Sequence, residues 1–253
     1  MKTVDELLKE VRKIHFIGIG GSGMCPLAEI LIKKGYEVSG SDNNESETLE
    51  RARKAGAKVT LGQKAENIEG AEIIIYTSAI LEGNPELEAA RNSGIPLFER
   101  NDLLGYITKL YSDCIGISGT HGKTTTSAML TQVLIECGKS PSAVIGGRLP
   151  LTGTGGIVGD SDIMVCESCE YRDHFLKLSP DVAVILNVDE DHLEYFKNID
   201  NMKKSYVKFA GFAGKSVIYN GDDKNTTDVI EQLNDTAAEI ISLAIPLIVP
   251  CAE

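Results

Sequence analysis

The segment Cys114-Ile-Gly-Ile-Ser-Gly-Thr-His-Gly-Lys-Thr-Thr-Thr126 opens as a short apolar run of strand length, Cys114 to Ile117, and breaks at Gly119. From Lys123 the apolar positions Ala128, Met129, Leu130, Val133 and Leu134 recur at the three-to-four spacing of a helix. Strand, glycine loop and helix is the context in which a loop grips phosphate. Gly119 and Gly122 allow backbone angles closed to other residues, and the first amides of the helix point at an anion. Lys123 would reach the β- and γ-phosphates, and the Thr124 hydroxyl would bind Mg²⁺. Position 117 is Ile, so the full G-x-x-x-x-G-K-[ST] spacing gives way to the shorter Gly119-Thr-His-Gly-Lys-Thr124. The bland alternative is a glycine-rich turn capping a helix. Glycines, Lys and Thr together at a strand-to-helix turn favour a bound nucleoside triphosphate.

Downstream, Ser142 to Ile145 and Ile163 to Cys166 read as strands, with glycine-rich loops at 146–150 and 153–156 between them. Arg148 could meet a phosphate or carboxylate, or be a solvated surface arginine. Glu167 and Glu170 follow the second of these strands at once. In a phosphate-loop protein an acid at the end of a neighbouring core strand supplies a second magnesium contact. Asp181 to Leu186 is the next strand, and Asn187-Val-Asp-Glu-Asp-His192 follows it. Carboxylates suit Mg²⁺, and the histidine would complete a second ion's shell. A polar, solvated loop is the competing reading there, and the neighbouring phosphate loop tips the choice toward metal. His174 has no such company and reads as a surface residue.

Upstream, Leu7, Leu8 and Val11 suggest a short opening helix. Ile14-His-Phe-Ile-Gly-Ile-Gly-Gly-Ser-Gly-Met24 is an apolar strand running into Gly18-x-Gly20-x-x-Gly23, then a helix over Met24 to Lys34 closed by Gly35. Tyr36 to Gly40 is a second strand, with Asp42 just beyond it. This is a dinucleotide-type fingerprint: a diphosphate on a helix N-terminus, with an acid about 20 residues on. It does not choose between NAD, FAD and a UDP-sugar. Asp42 either meets a ligand hydroxyl or simply ends a strand, and His15 reads as a packed core histidine. The alternation continues through a helix at 46–55, strands at 57–61 and 71–76, a helix from Asn84 to Gly94, a strand at 95–98 and a helix at 99–111. Thr77-Ser78-Ala79-Ile80 lies at a strand's carboxyl end, where open parallel sheets bind ligands. The fold class is α/β, with a first domain over 1–112 and a second over 113–253.

The chain has 253 residues, room for two ordinary cores, and 42% apolar and 25% charged residues mark it as globular. A net charge of −12 argues against a nucleic-acid partner. The six cysteines lie mostly in apolar runs and read as reduced thiols, and Cys166-x-x-Cys169 lacks the second pair a zinc site needs. No signal-peptide core or membrane-length apolar run is visible, so the expected location is the cytoplasm.

With these residues assembled, the chain resembles the Mur ligase family. The resemblance rests on 15–24, Gly40-Ser-Asp42, Thr77-Ser-Ala-Ile80 with Asn84-Pro-Glu86, Gly119 to Thr125, Cys166-Glu-Ser-Cys-Glu-Tyr171, Phe175-Leu-Lys-Leu-Ser-Pro180 and Asn187 to His192, in the family's order. It implies a Rossmann-like domain that holds a UDP-sugar, followed by a P-loop-type ATPase domain with a parallel or mixed sheet. The implied reaction is ATP-dependent: the lactyl carboxylate of UDP-N-acetylmuramate is phosphorylated, and L-alanine displaces phosphate from the acyl phosphate to form an amide. Carried over residue by residue, Gly119, Thr120, His121, Gly122, Lys123, Thr124 and Thr125, with Asn187, form the ATP site. Gly18, Gly20, Gly21, Ser22, Gly23, Asp42, Ser78 and Ala79 hold the UDP-sugar. Lys123, Glu167 and His192 carry the chemistry, with Thr124 and Glu167 on one Mg²⁺ and Glu167 and His192 on another.

The family also has a C-terminal domain that binds the amino acid, and its L-alanine site would lie there. The stretch 240–253 is apolar, broken twice by proline and unlike the family. The expectation is therefore a chain truncated or shifted in reading frame, with a genuine terminal strand as the alternative for that stretch, and an incomplete second domain that binds substrates without completing ligation. Two other readings stand: a non-catalytic nucleotide-binding fragment, and a related ligase that joins a tripeptide to the same sugar. An NAD enzyme read from the first glycine loop alone leaves the second loop unexplained.

Overall fold

A computed structural model describes residues 2–147, 149, 154–234 and 236–244. The expectations attached to Arg148, Gly153 and residues 245–253 of the apolar tail lie outside these.

The first lobe runs α1 (Val4–Leu7), β1 (Lys13–Ile17), α2 (Cys25–Lys33), β2 (Glu37–Asp42), α3 (Glu47–Ala55), β3 (Lys58–Leu61), β4 (Ile73–Tyr76), α4 (Pro85–Asn92), β5 (Leu97–Glu99) and α5 (Arg100–Thr108). Its sheet has the order β3-β2-β1-β4-β5, with every pairing parallel. The order reverses direction at β1, which opens a crevice beyond that strand's carboxyl end, where Gly18 to Gly23 lie. Local chemistry sets the element ends. Thr3 and Glu6 form a capping box on α1, Ser46 caps α3 by accepting from the Leu49 amide, and Asn84 caps α4 by accepting from Glu86 and Leu87. His15 in β1 is buried, bonded to Ser39 Oγ (2.8 Å) and Glu86 Oε1 (2.6 Å), so it is a packed and satisfied core histidine.

The second lobe runs β6 (Asp113–Ser118), α6 (Lys123–Glu136), β7 (Ser142–Val144), β8 (Gly156–Ile157), β9 (Ile163–Glu167), β10 (Val182–Ile185), α7 (Leu193–Phe196), α8 (Ile199–Gly211), β11 (Ser216–Asn220), α9 (Lys224–Glu231) and β12 (Glu239–Leu243). Its order is β12-β11-β10-β6-β9-β7-β8, parallel except for the β7–β8 pair, so the sheet is mixed. β6 lies between β9 and β10, and the register sets Ile117 opposite Glu167 and Ser118 opposite Ile185. The loop leaving β6 therefore emerges between the ends of the two strands that carry Glu167 and Asn187. β12 covers the start of the stretch read as an atypical tail, and α7, α8, α9 and β11 had no counterpart in the sequence reading.

The largest apolar cluster crosses both lobes. It runs from Phe16 and Leu27 through Leu104 and Ile107 of α5 to Cys114, Phe175 and Phe209. Phe175 stacks on Phe209 with ring centres 4.8 Å apart. α5 ties the lobes closely: Thr108 Oγ1 accepts from the Ser179 amide, and Tyr111, just past the helix, donates to Ser142 Oγ. Among the described residues, no helix is long and apolar enough to cross a membrane.

Candidate functional site

The turn from β6 into α6 needs a glycine at its first step, because Gly119 has φ of +137°, a conformation that strains residues with a side chain. The loop is then tied to the end of β10. The Thr120 and His121 amides donate to Asn187 O (3.1 Å) and Asn187 Oδ1 (2.8 Å), and Asn187 Nδ2 donates to His121 O (3.0 Å). Asn187, expected at ATP, braces the loop in this state. Thr120 Oγ1 accepts from the Asp189 amide at 2.9 Å. Gly122 is the N-cap of α6, and no side chain caps that end, which leaves the amides of the first turn directed at the loop's concavity.

Lys123 folds back over this loop. Its ammonium donates to Gly119 O (2.5 Å), Thr120 O (3.1 Å) and Glu170 Oε1 (3.1 Å). Glu170 Oε2 is 2.9 Å from the same nitrogen as an ion pair, although the angle does not make it a hydrogen bond. Thr124 Oγ1 lies 3.0 Å from both oxygens of Glu167, and the Gly146 amide donates to Glu167 Oε2 at 2.7 Å. Hydroxyl and carboxylate thus already converge as the hard oxygen donors that suit Mg²⁺. Thr125 is exposed on the outer face of α6.

Glu170, Asp191 and His192 bring one ligand atom each within 4.8 Å of one another. His192 holds a left-handed backbone (φ 50°, ψ 37°), its amide donates to Asp191 Oδ1 (2.7 Å), and its ring packs on Tyr171 with centres 4.6 Å apart. The group that His192 joins is therefore built on Glu170 and Asp191, two carboxylates that the sequence reading placed in metal-suited stretches but that the resemblance did not carry over as ligands. His174 is half-buried, not a surface residue, and meets Tyr171 edge-on. Burial, reinforced by Lys177, lowers its pKa below the usual histidine value. Burial pushes the Cys166 thiol up to about 12, and Cys166 and Cys169 are both free, in keeping with inert thiols.

In the first lobe, Gly20 N donates to Asp42 Oδ2 at 3.0 Å, and a Cβ on Gly20 would lie 2.8 Å from that oxygen. Asp42 here props the glycine loop from behind. Gly21, Ser22 and Gly23 line a hollow of about 340 Å³ together with Ala79, Gly146 and Glu167, so both lobes contribute to one space. Ser78 is exposed next to Ala79, and the lining includes Thr77 and Arg100 as well. Arg100 was missed from sequence. Its signal is a cation in the first turn of a helix, where the macrodipole disfavours positive charge. It bonds Asn101 Oδ1 (2.7 Å) and approaches so near Gly23 that a Cβ there would be 2.8 Å from Nη1.

Comparison with known proteins follows the two lobes. The model for the Mur ligase family catalytic domain matches residues 13–112, and that for the Mur ligase middle domain matches 117–246. The second match extends to 246, so the first part of the stretch 240–253 falls within the family's pattern, contrary to the expectation that it departs there. The UDP-N-acetylmuramate–L-alanine ligase of Caldanaerobacter subterraneus subsp. tengcongensis is 44% identical over 89% of this chain and 50% of its own length. That of Clostridium tetani is 41% identical over 91% and 51%. The chain spans about half the length of the curated relatives it matches. Among solved structures, the UDP-N-acetylmuramate-alanine ligase of Thermotoga maritima superposes with a TM-score of 0.76 at 28% identity, covering 92% of this chain and 53% of that one. A UDP-N-acetylmuramate:L-alanyl-gamma-D-glutamyl-meso-diaminopimelate ligase from Neisseria meningitides does so with 0.76 at 25%, covering 92% and 78%.

Proposed function

The chain belongs to the Mur ligase family, and from that premise we propose that it serves the ATP-dependent ligation of L-alanine to the lactyl carboxylate of UDP-N-acetylmuramate in peptidoglycan-precursor synthesis. In this reading residues 1–112 hold the sugar nucleotide and the lobe from 113 holds ATP. The observation that carries it is the single hollow lined by Gly21, Ser22 and Gly23 on one side and by Gly146 and Glu167 on the other.

The diphosphate of the sugar nucleotide would sit on the amides of Gly21 to Gly23, with Arg100 as its counter-charge. The ATP phosphates would sit on the α6 N-terminus, with Lys123 exchanging its loop carbonyls and Glu170 for β- and γ-oxygens. A lactyl carboxylate oxygen then attacks the γ-phosphorus, the bond to the leaving ADP oxygen breaks, and an acyl phosphate forms. The alanine nitrogen attacks the acyl carbon, and phosphate departs with the C–O electron pair. Thr124 and Glu167 would hold one Mg²⁺. His192, with Glu167 or the nearer Glu170 and Asp191, would hold a second. Bound between two anionic reactants, such ions supply charge neutralisation.

Titration calorimetry of the chain with UDP-N-acetylmuramate, and separately with ATP plus Mg²⁺, tests the proposal. Saturable binding of both is expected. Failure of either ligand to bind contradicts it.

A further inference from the structure

A second and larger hollow, about 560 Å³, lies where the lobes meet, between Glu29, Lys33 and Arg51 on one side and Thr154, Ile157 and Val158 on the other. The bonds that frame it are not spread evenly. Arg51 of α3 uses one edge of its guanidinium on Glu29 of α2, through Nε at 2.5 Å and through Nη2. Its Nη1 crosses to the second lobe and donates to Thr154 Oγ1 and Gly156 O, both at 2.7 Å. The Arg51 and Glu29 side chains are only 25% and 10% exposed, so this is not a loosely solvated surface pair. Lys33 grips the far end of the same segment at Gly159 O and at Asp160 Oδ1 (2.6 Å).

The clamped segment presses on the first glycine loop. A Cβ on Gly155 would lie 3.0 Å from Ser22 O and 3.1 Å from Ser22 Cβ. One on Gly156 would lie 2.6 Å from Pro26 Cγ, in the first turn of α2. On its other side the segment is fixed to two residues that line the first hollow: the Ile145 amide donates to Gly155 O at 2.8 Å, and Gly156 pairs with Val144. Arg51 bonds Glu29, Thr154 and Gly156, and through Gly156 it holds the backbone against which Ser22 rests.

We propose that the segment Thr154–Asp160 of the second lobe is a structural part of the sugar-nucleotide cradle, and that Arg51 is the positioning residue that seats it against Ser22 and Pro26. The proposal rests on reading Gly18 to Gly23 as the diphosphate cradle. An Arg51–Glu29 pair that contributes only general stability is the alternative. The two differ in where the effect of removing Arg51 appears.

The test uses the whole chain carrying Arg51→Ala, Arg51→Lys or Thr154→Val. Without ligand, amide hydrogen exchange at Met24 and Cys25, both bonded to Gly21 O in the wild type, should accelerate in Arg51→Ala, while exchange in α9 stays unchanged. Affinity for UDP-N-acetylmuramate should fall about tenfold or more, as loss of charge-assisted bonds implies. Arg51→Lys, which keeps the charge toward Glu29 but loses the fork, should fall between, and Thr154→Val should show the same pattern more weakly. Exchange that rises equally in α9, or that is unchanged at Met24 and Cys25, with UDP-N-acetylmuramate affinity retained, would overturn the proposal. If the wild-type chain binds no UDP-N-acetylmuramate, the functional reading fails instead, and the exchange comparison still decides whether Arg51 seats Ser22.

Discussion

Lys123 Nζ lies 2.9 Å from Oε2 of Glu170, a carboxylate with no solvent exposure, at the base of the phosphate loop. The ammonium is thus engaged before any anion arrives. In the proposed reading a triphosphate would draw it off two loop carbonyls and a buried acid, and Glu170, already grouped with His192 and Asp191, would lose its cation. One contact links the state of the loop to the state of the candidate metal group.

That linkage lets stability and binding be separated by a second substitution. Lys123→Ala leaves Glu170 buried and uncompensated, so unfolding free energy should drop by about 3–5 kcal/mol. Affinity for Mg–ATP should fall roughly 10- to 100-fold with the loss of charge-assisted bonds. Adding Glu170→Gln to Lys123→Ala should recover most of the stability and none of the ATP affinity. Denaturant titration beside calorimetry separates the two, and recovery of both by the double variant would contradict the assignment.

Gly146→Ala probes the Thr124–Glu167 pair without replacing either residue. The new methyl would sit 2.8 Å from Glu167 Oε1 and force the carboxylate aside. ATP affinity measured with Mg²⁺ should weaken about tenfold, the scale of one displaced charged contact, and affinity in EDTA should hold. An equal loss in both conditions would show that the glycine serves the loop's shape alone.

Arg100→Ala should weaken UDP-N-acetylmuramate binding by about 10- to 100-fold, the cost of a lost charge-assisted phosphate contact. Binding of Mg–ATP alone should be unaffected. Arg100→Lys should restore only part, because a point charge replaces a two-pronged donor. Unchanged sugar-nucleotide affinity in Arg100→Ala would remove this residue from the cradle.

His174 carries a pH signature. Burial lowers its pKa first, Lys177 next, with Arg100 and Arg172 in the same direction and Glu99 opposing. Its unfolded form therefore binds a proton at a pH where the folded form does not, so stability rises with pH through that interval. The contribution is complete above about pH 6.5, the ordinary histidine value, and is lost as pH falls through the lower folded value. His174→Gln should flatten this slope in thermal melts between pH 7 and 5. A slope that survives the substitution belongs to other groups.

Much of this arrangement was legible before the structure. The strand, glycines, Lys123 and Thr124 form one contiguous signal, and so does Gly18 to Gly23 with the strand before it, because backbone geometry and helix dipole act over a few residues. Glu167 was singled out because, beside a phosphate-type loop, an acid at the end of a neighbouring core strand is where a magnesium contact stands. Arg100, the pairing of Lys123 with Glu170 and the seat of Thr154–Asp160 on Ser22 were not legible. They depend on strand order and on how the lobes dock, which link residues far apart in sequence. Asp42 and Asn187 were read toward ligands, and in this state both brace the loops beside them, an outcome that residue type alone does not decide. α8 was missed although Met202, Tyr206 and Phe209, all fully buried, repeat at helical spacing.

The central claim is that the sugar's carboxylate and the triphosphate's end meet in the shared hollow. Paramagnetic relaxation of UDP-N-acetylmuramate labelled with ¹³C at the lactyl carboxylate, bound to the chain with ATP and Mn²⁺ in place of Mg²⁺, tests it most directly. Strong relaxation of that carbon, absent in Lys123→Ala and much weaker at the uracil carbons, is the expected result. Two bound ligands with no relaxation at the carboxylate carbon would contradict it.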